Sequence, residues 1–208
     1  MALETLRTPE HMFELFESCV AEAKTIYLKR NAEGKILASN GLVSEYGDNE
    51  LLSKVVRTKT FKNWFGDWEN NPAEASVAVY ETTGEPRIVF HGTKKDIPIV
   101  EGLDVNKSNR STEMMFTTSR ANSLREGTSS ARRSNFVTDN ASVTYPCFIN
   151  LRPLPQEERE RQQKNRGRPD WRVTPYSKYG SSDGNAENLT HYSVELNENI
   201  MHLPFNTV

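Results

Sequence analysis

The sequence predicts an α+β protein: at least five short strands from about Thr58 onward, under a helical N-terminal cover. Three observations carry this. Apolar side chains recur at helical spacing between Met12 and Tyr27. Residues 143–151 alternate, with Val143, Tyr145, Cys147, Ile149 and Leu151 on one face. Between these, short β-type runs are separated by turn-forming and polar stretches. The expected division is a helical segment over residues 1–57 and a β-containing domain over residues 58–208.

The helix starts at Thr8 as cap, with Pro9 at its first position and Glu10 at the positive end of the dipole. Met12, Phe13, Phe16, Val20, Ala23, Ile26 and Tyr27 form its apolar face, which packs on the main domain or on a partner. Asn31 to Gly34 is the stop. Ile36 to Tyr46 reads equally as strand or irregular chain, and Asn49 to Val56 as a short helix. Thr60 to Trp68 spaces Phe61, Trp64, Phe65 and Trp68 on one helical face, as an internal anchor or a stacking surface.

Ser76 to Tyr80 and Arg87 to His91 then read as a hairpin around Thr82-Thr83-Gly84-Glu85-Pro86. Met114 to Thr118 is a third strand, with Ser119 capping a helix to about Arg125. Gly127 to Asn140 is a Ser-, Arg- and Asn-rich loop. Val143 to Leu151 is the cleanest strand, and Pro146 inside it predicts an edge or a bulge. Pro153 to Arg172 and Ser177 to Asn188 read together as a surface insertion carrying both charge signs. His191 to Leu196 and Ile200 to Phe205 close the chain.

Composition narrows the class. The 208 residues are 36 % hydrophobic and 26 % charged, as in soluble globular proteins, and the net charge of -2 offers no overall basic field for nucleic acid. No apolar run is long enough for a membrane helix and no signal-type segment follows Met1, so a cytoplasmic protein is expected. Cys19 and Cys147 read as buried thiols of a reducing compartment. The four His are dispersed and no C-x-x-C occurs, so no metal site is expected.

The chemistry concentrates at Arg87-Ile-Val-Phe-His-Gly-Thr93. A His at a strand end, followed by Gly and Thr, sets an imidazole, a bare peptide and a hydroxyl on one rim. On spacing alone such a tripeptide serves a structural turn more often than a site.

The run TFKNWFGDWENNPAEASVAVYETTGEPRIVFHGT closely resembles the opening of the ADP-ribosyltransferase-like domains of phage and mobile-element polyvalent proteins. MMFTTS, YPCFINLRPLP and HYSVELNENI resemble later blocks of that family, in its order. The similarity runs from about Thr58 to Ile200. It implies a split antiparallel β-sheet that grips NAD+, as in diphtheria toxin and the poly(ADP-ribose) polymerases, and a bacteriophage or infected-cell setting. It also implies a mono-ADP-ribosyltransferase that cleaves the nicotinamide glycosidic bond. His91 would bond an adenosine-side ribose hydroxyl, Gly92 would clamp the carboxamide through its N–H and C=O, and Thr93 would add a hydroxyl. Met115, with Phe116 beside it, stands where the family stacks a Tyr on nicotinamide; Thr117, Ser119 and Arg120 complete the implied NAD contacts. Arg125, Arg132 and Arg133 are further candidates for the pyrophosphate.

At the family's catalytic Glu, before Tyr192, this chain has His191, which brings no negative charge to the developing cation. Glu195 shares a face with His191 but lies roughly 13 Å along the strand; Glu187 and Asp183 are the other carboxylates at hand. The implied catalytic set is therefore His91, His191 and Glu195. The acceptor is expected to be a macromolecule, protein before nucleic acid. Two other readings stand beside the enzyme: a silent ADP-ribosyltransferase fold that binds a nucleotide or protein, and an interaction module docking a partner through the N-terminal helix and the aromatics.

Overall fold

The computed structural model describes residues 8–93, 96–98, 102–105, 114–118, 143–151, 178–180, 190–194 and 197–204. These residues contain the helices α1 (Pro9–Ala23), α2 (Glu50–Val55) and α3 (Lys59–Phe65), and six strands. The strands are β1 (Val89–Thr93), β2 (Met114–Thr117), β3 (Val143–Ile149), β4 (Lys178–Gly180), β5 (Thr190–Val194) and β6 (Ile200–His202). The protein is α+β, and its strands form one sheet in the order β4-β5-β2-β1-β3-β6, with every neighbouring pair antiparallel.

The sheet has a weak seam. β1 pairs with β3 along all five of its residues, from Val89↔Cys147 to Thr93↔Val143. Against β2 it registers at a single pair, Phe90↔Thr117. Two three-stranded halves, β1-β3-β6 and β2-β5-β4, are thus joined at one rung.

Strand alternation gives each face its own core. One face carries Val89, Phe116, Tyr145, Cys147, Ile149, Tyr192 and Val194, with Leu103 and Val105 packed on them. The other carries Phe148 and Met201, covered by Met12, Phe16, Cys19, Val55, Phe61 and Phe65 from the three helices. The N-terminal segment therefore closes one of the two cores.

α1 buries Met12, Phe16, Cys19 and Ala23. The face is rotated from the expected one: Phe13 and Val20 are half-buried, and Tyr27 is 96 % exposed. The helix stops four residues before Tyr27 because Thr25 N–H and Ile26 N–H turn back to Glu22 and Ala23 carbonyls at 3.0 and 3.1 Å, tightening the last turn. Thr8 occupies the cap position, but its hydroxyl meets His11 Nδ1 at 2.7 Å instead of a helix N–H. Ile36 to Tyr46 is irregular, held by the bridges Arg30↔Ile36 and Leu37↔Val43.

α3 carries the aromatics. Thr58 caps it by accepting from Phe61 N–H at 3.1 Å, and the Glu22 carboxylate accepts from Lys59 and Thr60 N–H at 2.6 and 3.0 Å. Burial pushes the Glu22 carboxyl up, but the Thr60 hydroxyl and these N–H groups outweigh it and hold it below its usual range. Phe61 stacks on Phe65 at 5.2 Å and meets Phe148 edge-on at 5.2 Å. Trp68 is buried and donates to Val56 O at 2.9 Å. Phe61, Phe65 and Trp68 are buried inside the molecule, as is the apolar face of α1, so these aromatics serve as the internal anchor.

Four other expectations are corrected. Ser76 to Tyr80 does not form a strand: Ser76 and Val77 N–H donate to Phe65 O and Leu151 O, while the predicted turn is held by the single bridge Val79↔Pro86, with Tyr80 N–H on Glu85 O and Arg87 N–H on Ala78 O at 2.8 Å. The strand predicted over Arg87–His91 begins at Val89 and runs to Thr93, so the His-Gly-Thr tripeptide lies within it. Pro146 sits in an interior strand. It is tolerated because its vacant N faces β6, where the pairing ends and only the Pro146 carbonyl is used, accepting from Leu203 N–H at 2.9 Å. Lys178–Gly180 adds a strand, β4, inside the stretch read as insertion. The expected helix after Ser119, the loop 127–140 and most of both polar stretches lie outside the described residues.

A buried charge network ties the irregular N-terminal segment to the turn before β1. Glu85, fully buried, accepts from Ser44 Oγ at 3.0 Å, Glu45 N–H at 2.9 Å and Arg57 Nη2 at 3.0 Å. Arg57 also pairs with Glu69 at 3.5 Å and lies over the Trp68 ring at 5.4 Å. Glu69 is joined in turn by Lys62 and Ser39. Among the described residues no helix is long and apolar enough to cross a membrane.

Candidate functional site

The peptide direction of Gly92 follows from the pairing. Leu203 N–H donates to Pro146 O, and Asn150 N–H donates to Asn199 O at 2.8 Å, so even-numbered residues of β3 turn their peptides toward β6. Tyr145 and Cys147 therefore turn theirs toward β1, where they face His91 and Val89. Gly92, between His91 and Thr93, must turn its N–H and C=O the other way, toward β2. Among the described residues the only registered contact with β2 is at Phe90, two residues back. The Gly92 peptide thus opens into the seam between the half-sheets.

His91, registered with Tyr145 of β3, is half-buried, with its ring 5.5 Å from Phe116 and tilted by 51°. Phe116 is registered with Tyr192, so one row runs Tyr145–His91–Phe116–Tyr192 across four strands. Tyr145 is the residue that sequence reasoning missed as part of the site. Its hydroxyl donates to Asp96 Oδ1 at 2.6 Å, accepts from Ile97 N–H at 2.5 Å and is also bonded by the Thr93 side chain. Burial, and then the Asp96 carboxylate, push the hydroxyl up to about 12. Its position as an alternating residue of the β3 run was visible; its pairing with His91 was not.

Beside Tyr145, edge-on at 4.9 Å, stands His202. It is buried, neither ring nitrogen has a hydrogen-bond partner among the described residues, and burial pushes its imidazole down to about 4. The thiols are chemically quiet: burial pushes Cys19 up to about 11 and Cys147 well above the usual range, so neither supplies a thiolate near neutral pH. No group of three or more metal-type ligands occurs among the described residues.

The expected site residues divide as follows. His91 and Phe116 are in contact, with Gly92 and Thr93 on the same strand. Met115 is registered with Ser193, and Thr117, buried, lies between Phe90 and His191. His191 therefore takes its register in the Phe90 row and not in the His91 row. Glu195, Ser119 and Arg120, like Asp183, Glu187, Arg125, Arg132 and Arg133, lie outside the described residues.

No family model, curated protein or solved structure matches the chain.

Proposed function

We propose that the chain is an NAD-dependent mono-ADP-ribosyltransferase whose dinucleotide site is the seam between β1 and β2. The observation that carries this reading is the Gly92 peptide, aimed into that seam. A carboxamide offers one donor and one acceptor group, and a single glycine peptide complements both with no side chain in the way. His91 and Thr93 flank it with the ring and hydroxyl that ribose recognition needs. The two half-sheets joined at one rung also suit the split sheet of the family the sequence resembles.

In the proposed reaction the bond between ribose C1′ and the nicotinamide nitrogen breaks, and its electron pair leaves with the nicotinamide ring. The acceptor nucleophile bonds to C1′ and its proton passes to solvent or a base. Positive charge builds on the ribose meanwhile, so a nearby carboxylate accelerates the step and an imidazolium opposes it. The acceptor is a macromolecule, and the net charge of -2 favours protein over nucleic acid.

One observation favours a second reading, binding without cleavage: the row Tyr145–His91–Phe116–Tyr192 contains no carboxylate, and His191 is registered elsewhere. Incubation with NAD+ and chromatography of released nicotinamide separates the two. Release that is lost in His91→Ala supports the transferase, and His191→Ala then reports whether that imidazole takes part. Calorimetric binding with no release selects the silent binder. Neither binding nor release overturns both.

A further inference from the structure

We propose that Tyr145 is a positioning residue of the candidate site that sets its ligand preference: it takes the only proton of the Thr93 hydroxyl and leaves Thr93 to meet a ligand as a hydrogen-bond acceptor. The proposal rests on the reading that His91 and Thr93 flank a bound ribose. Tyr145 is wholly buried and registered with His91, and strand alternation puts His91 and Thr93 on the same face of β1. Its hydroxyl meets Asp96 Oδ1 at 2.6 Å, Ile97 N–H at 2.5 Å and the Thr93 side chain. One buried side chain therefore grips the strand at its Thr93 end and the chain that leaves it. Gly92 is held between two residues that β3 fixes.

Counting protons gives the sense of each bond. A phenol has one proton to donate and lone pairs to accept with. The Asp96 carboxylate has no proton to give, so it receives the Tyr145 proton; the Ile97 carbonyl, at 3.4 Å, is too far to compete for it. The Ile97 N–H can only donate. Tyr145 thus has no proton left for Thr93, and the Thr93 hydroxyl must donate to Tyr145. That hydroxyl also has a single proton, so what Thr93 can still offer a ligand is a lone pair. A ribose hydroxyl can donate to it. A phosphate oxygen cannot, and would stand acceptor against acceptor beside the Asp96 charge.

The test is calorimetry of the full chain with NAD+ and NADP+, which differ by one phosphate on the adenosine ribose. The unaltered chain is expected to favour NAD+ by about tenfold or more. In Tyr145→Phe the Thr93 proton becomes available to the ligand while the Asp96 charge stays, so the preference is expected to shrink severalfold. Loosened packing alone would weaken both ligands alike; an unchanged ratio overturns the proposal. Thr93→Val removes the acceptor, so NAD+ is expected to weaken severalfold and NADP+ to hold, whereas Thr93→Ser keeps the original ratio. These two variants carry the test should Tyr145→Phe lose its fold, and equal ratios in both overturn it. Equal affinity of the unaltered chain for the two dinucleotides also overturns it. Binding of neither removes the functional reading and this inference with it. Binding with a ratio that Tyr145→Phe leaves unchanged removes this inference alone. Nicotinamide release does not enter the scoring, so a transferase and a silent binder test it equally.

Discussion

Tyr145 stands opposite His91 across the β1–β3 pair, and its hydroxyl is shared between the Asp96 carboxylate at 2.6 Å and the Ile97 N–H at 2.5 Å. That one oxygen fixes the chain leaving the His-Gly-Thr tripeptide against the sheet. Tyr145→Phe leaves the Ile97 N–H unmet and Asp96 without its donor. It is expected to lower stability by about 1–3 kcal/mol in urea unfolding. In hydrogen exchange, faster exchange at Ile97 is expected, with the β3–β6 amides unchanged. Equal protection at Ile97 in both proteins would remove the tether.

Arg57 and Glu85 form a buried ion pair, with side chains 11 % and 0 % exposed. Removing one partner strands the other away from water, so Arg57→Ala is expected to cost about 3–5 kcal/mol. Glu85→Gln is expected to cost less, because an amide still accepts from Ser44 and Glu45 N–H. Urea midpoints of both variants and the double variant check this; purely additive losses would show the pair to be uncoupled.

Gly66 ends α3 with φ of +100° and its N–H on Lys62 O at 2.8 Å. An added Cβ would stand 2.8 Å from Ala75 Cβ and closer still to that residue's backbone. Gly66→Ala is therefore strained twice, by conformation and by contact, and is expected to destabilise by about 2 kcal/mol or more. Gly84→Ala is a control: its φ is +73°, but a Cβ there meets nothing within 4 Å, so only the conformational part is lost. Similar denaturation midpoints for the two variants would discount the Ala75 contact.

His202 makes stability depend on pH. Its imidazole is held near 4 in the folded chain against 6.5 as the ordinary value. Between those values the unfolded state takes up a proton that the folded state refuses. The contribution is complete above about pH 6.5 and falls as the pH drops toward 4, by up to about 3 kcal/mol. His202→Phe keeps a ring against Tyr145 and is expected to flatten the melting temperature between pH 4 and 6.5. Parallel curves for the two proteins would show that His202 is not the titrating group.

Local signals were enough for the elements whose partners are close in sequence. Asn49, accepting from Leu52 N–H at 3.1 Å, and Thr58 cap α2 and α3 as short helices of the kind the sequence predicts, and the alternation of Val143 to Ile149 appears as β3. Ser76 to Tyr80 misled in part: Tyr80 and Ala78 do bond across the turn, but Ser76 and Val77 donate to Phe65 and Leu151, which no local pattern announces. The α1 face misled by a rotation of one position, since Cys19 packs as a small apolar residue and Tyr27 falls beyond the helix end.

At the candidate site the sequence by itself determined the residue types: an imidazole, a bare peptide and a hydroxyl in succession on one strand, and Met115 and Phe116 on another. Strand formation and backbone freedom are local properties, so they are written in adjacent residues. Tertiary structure alone decided which way the Gly92 peptide faces, that Tyr145 and Asp96 join His91, and that His191 belongs to a different row. Those facts depend on register between strands separated by tens of residues. A shift of one residue would exchange the faces of every side chain involved, and only the packing of two cores against the sheet selects among the registers.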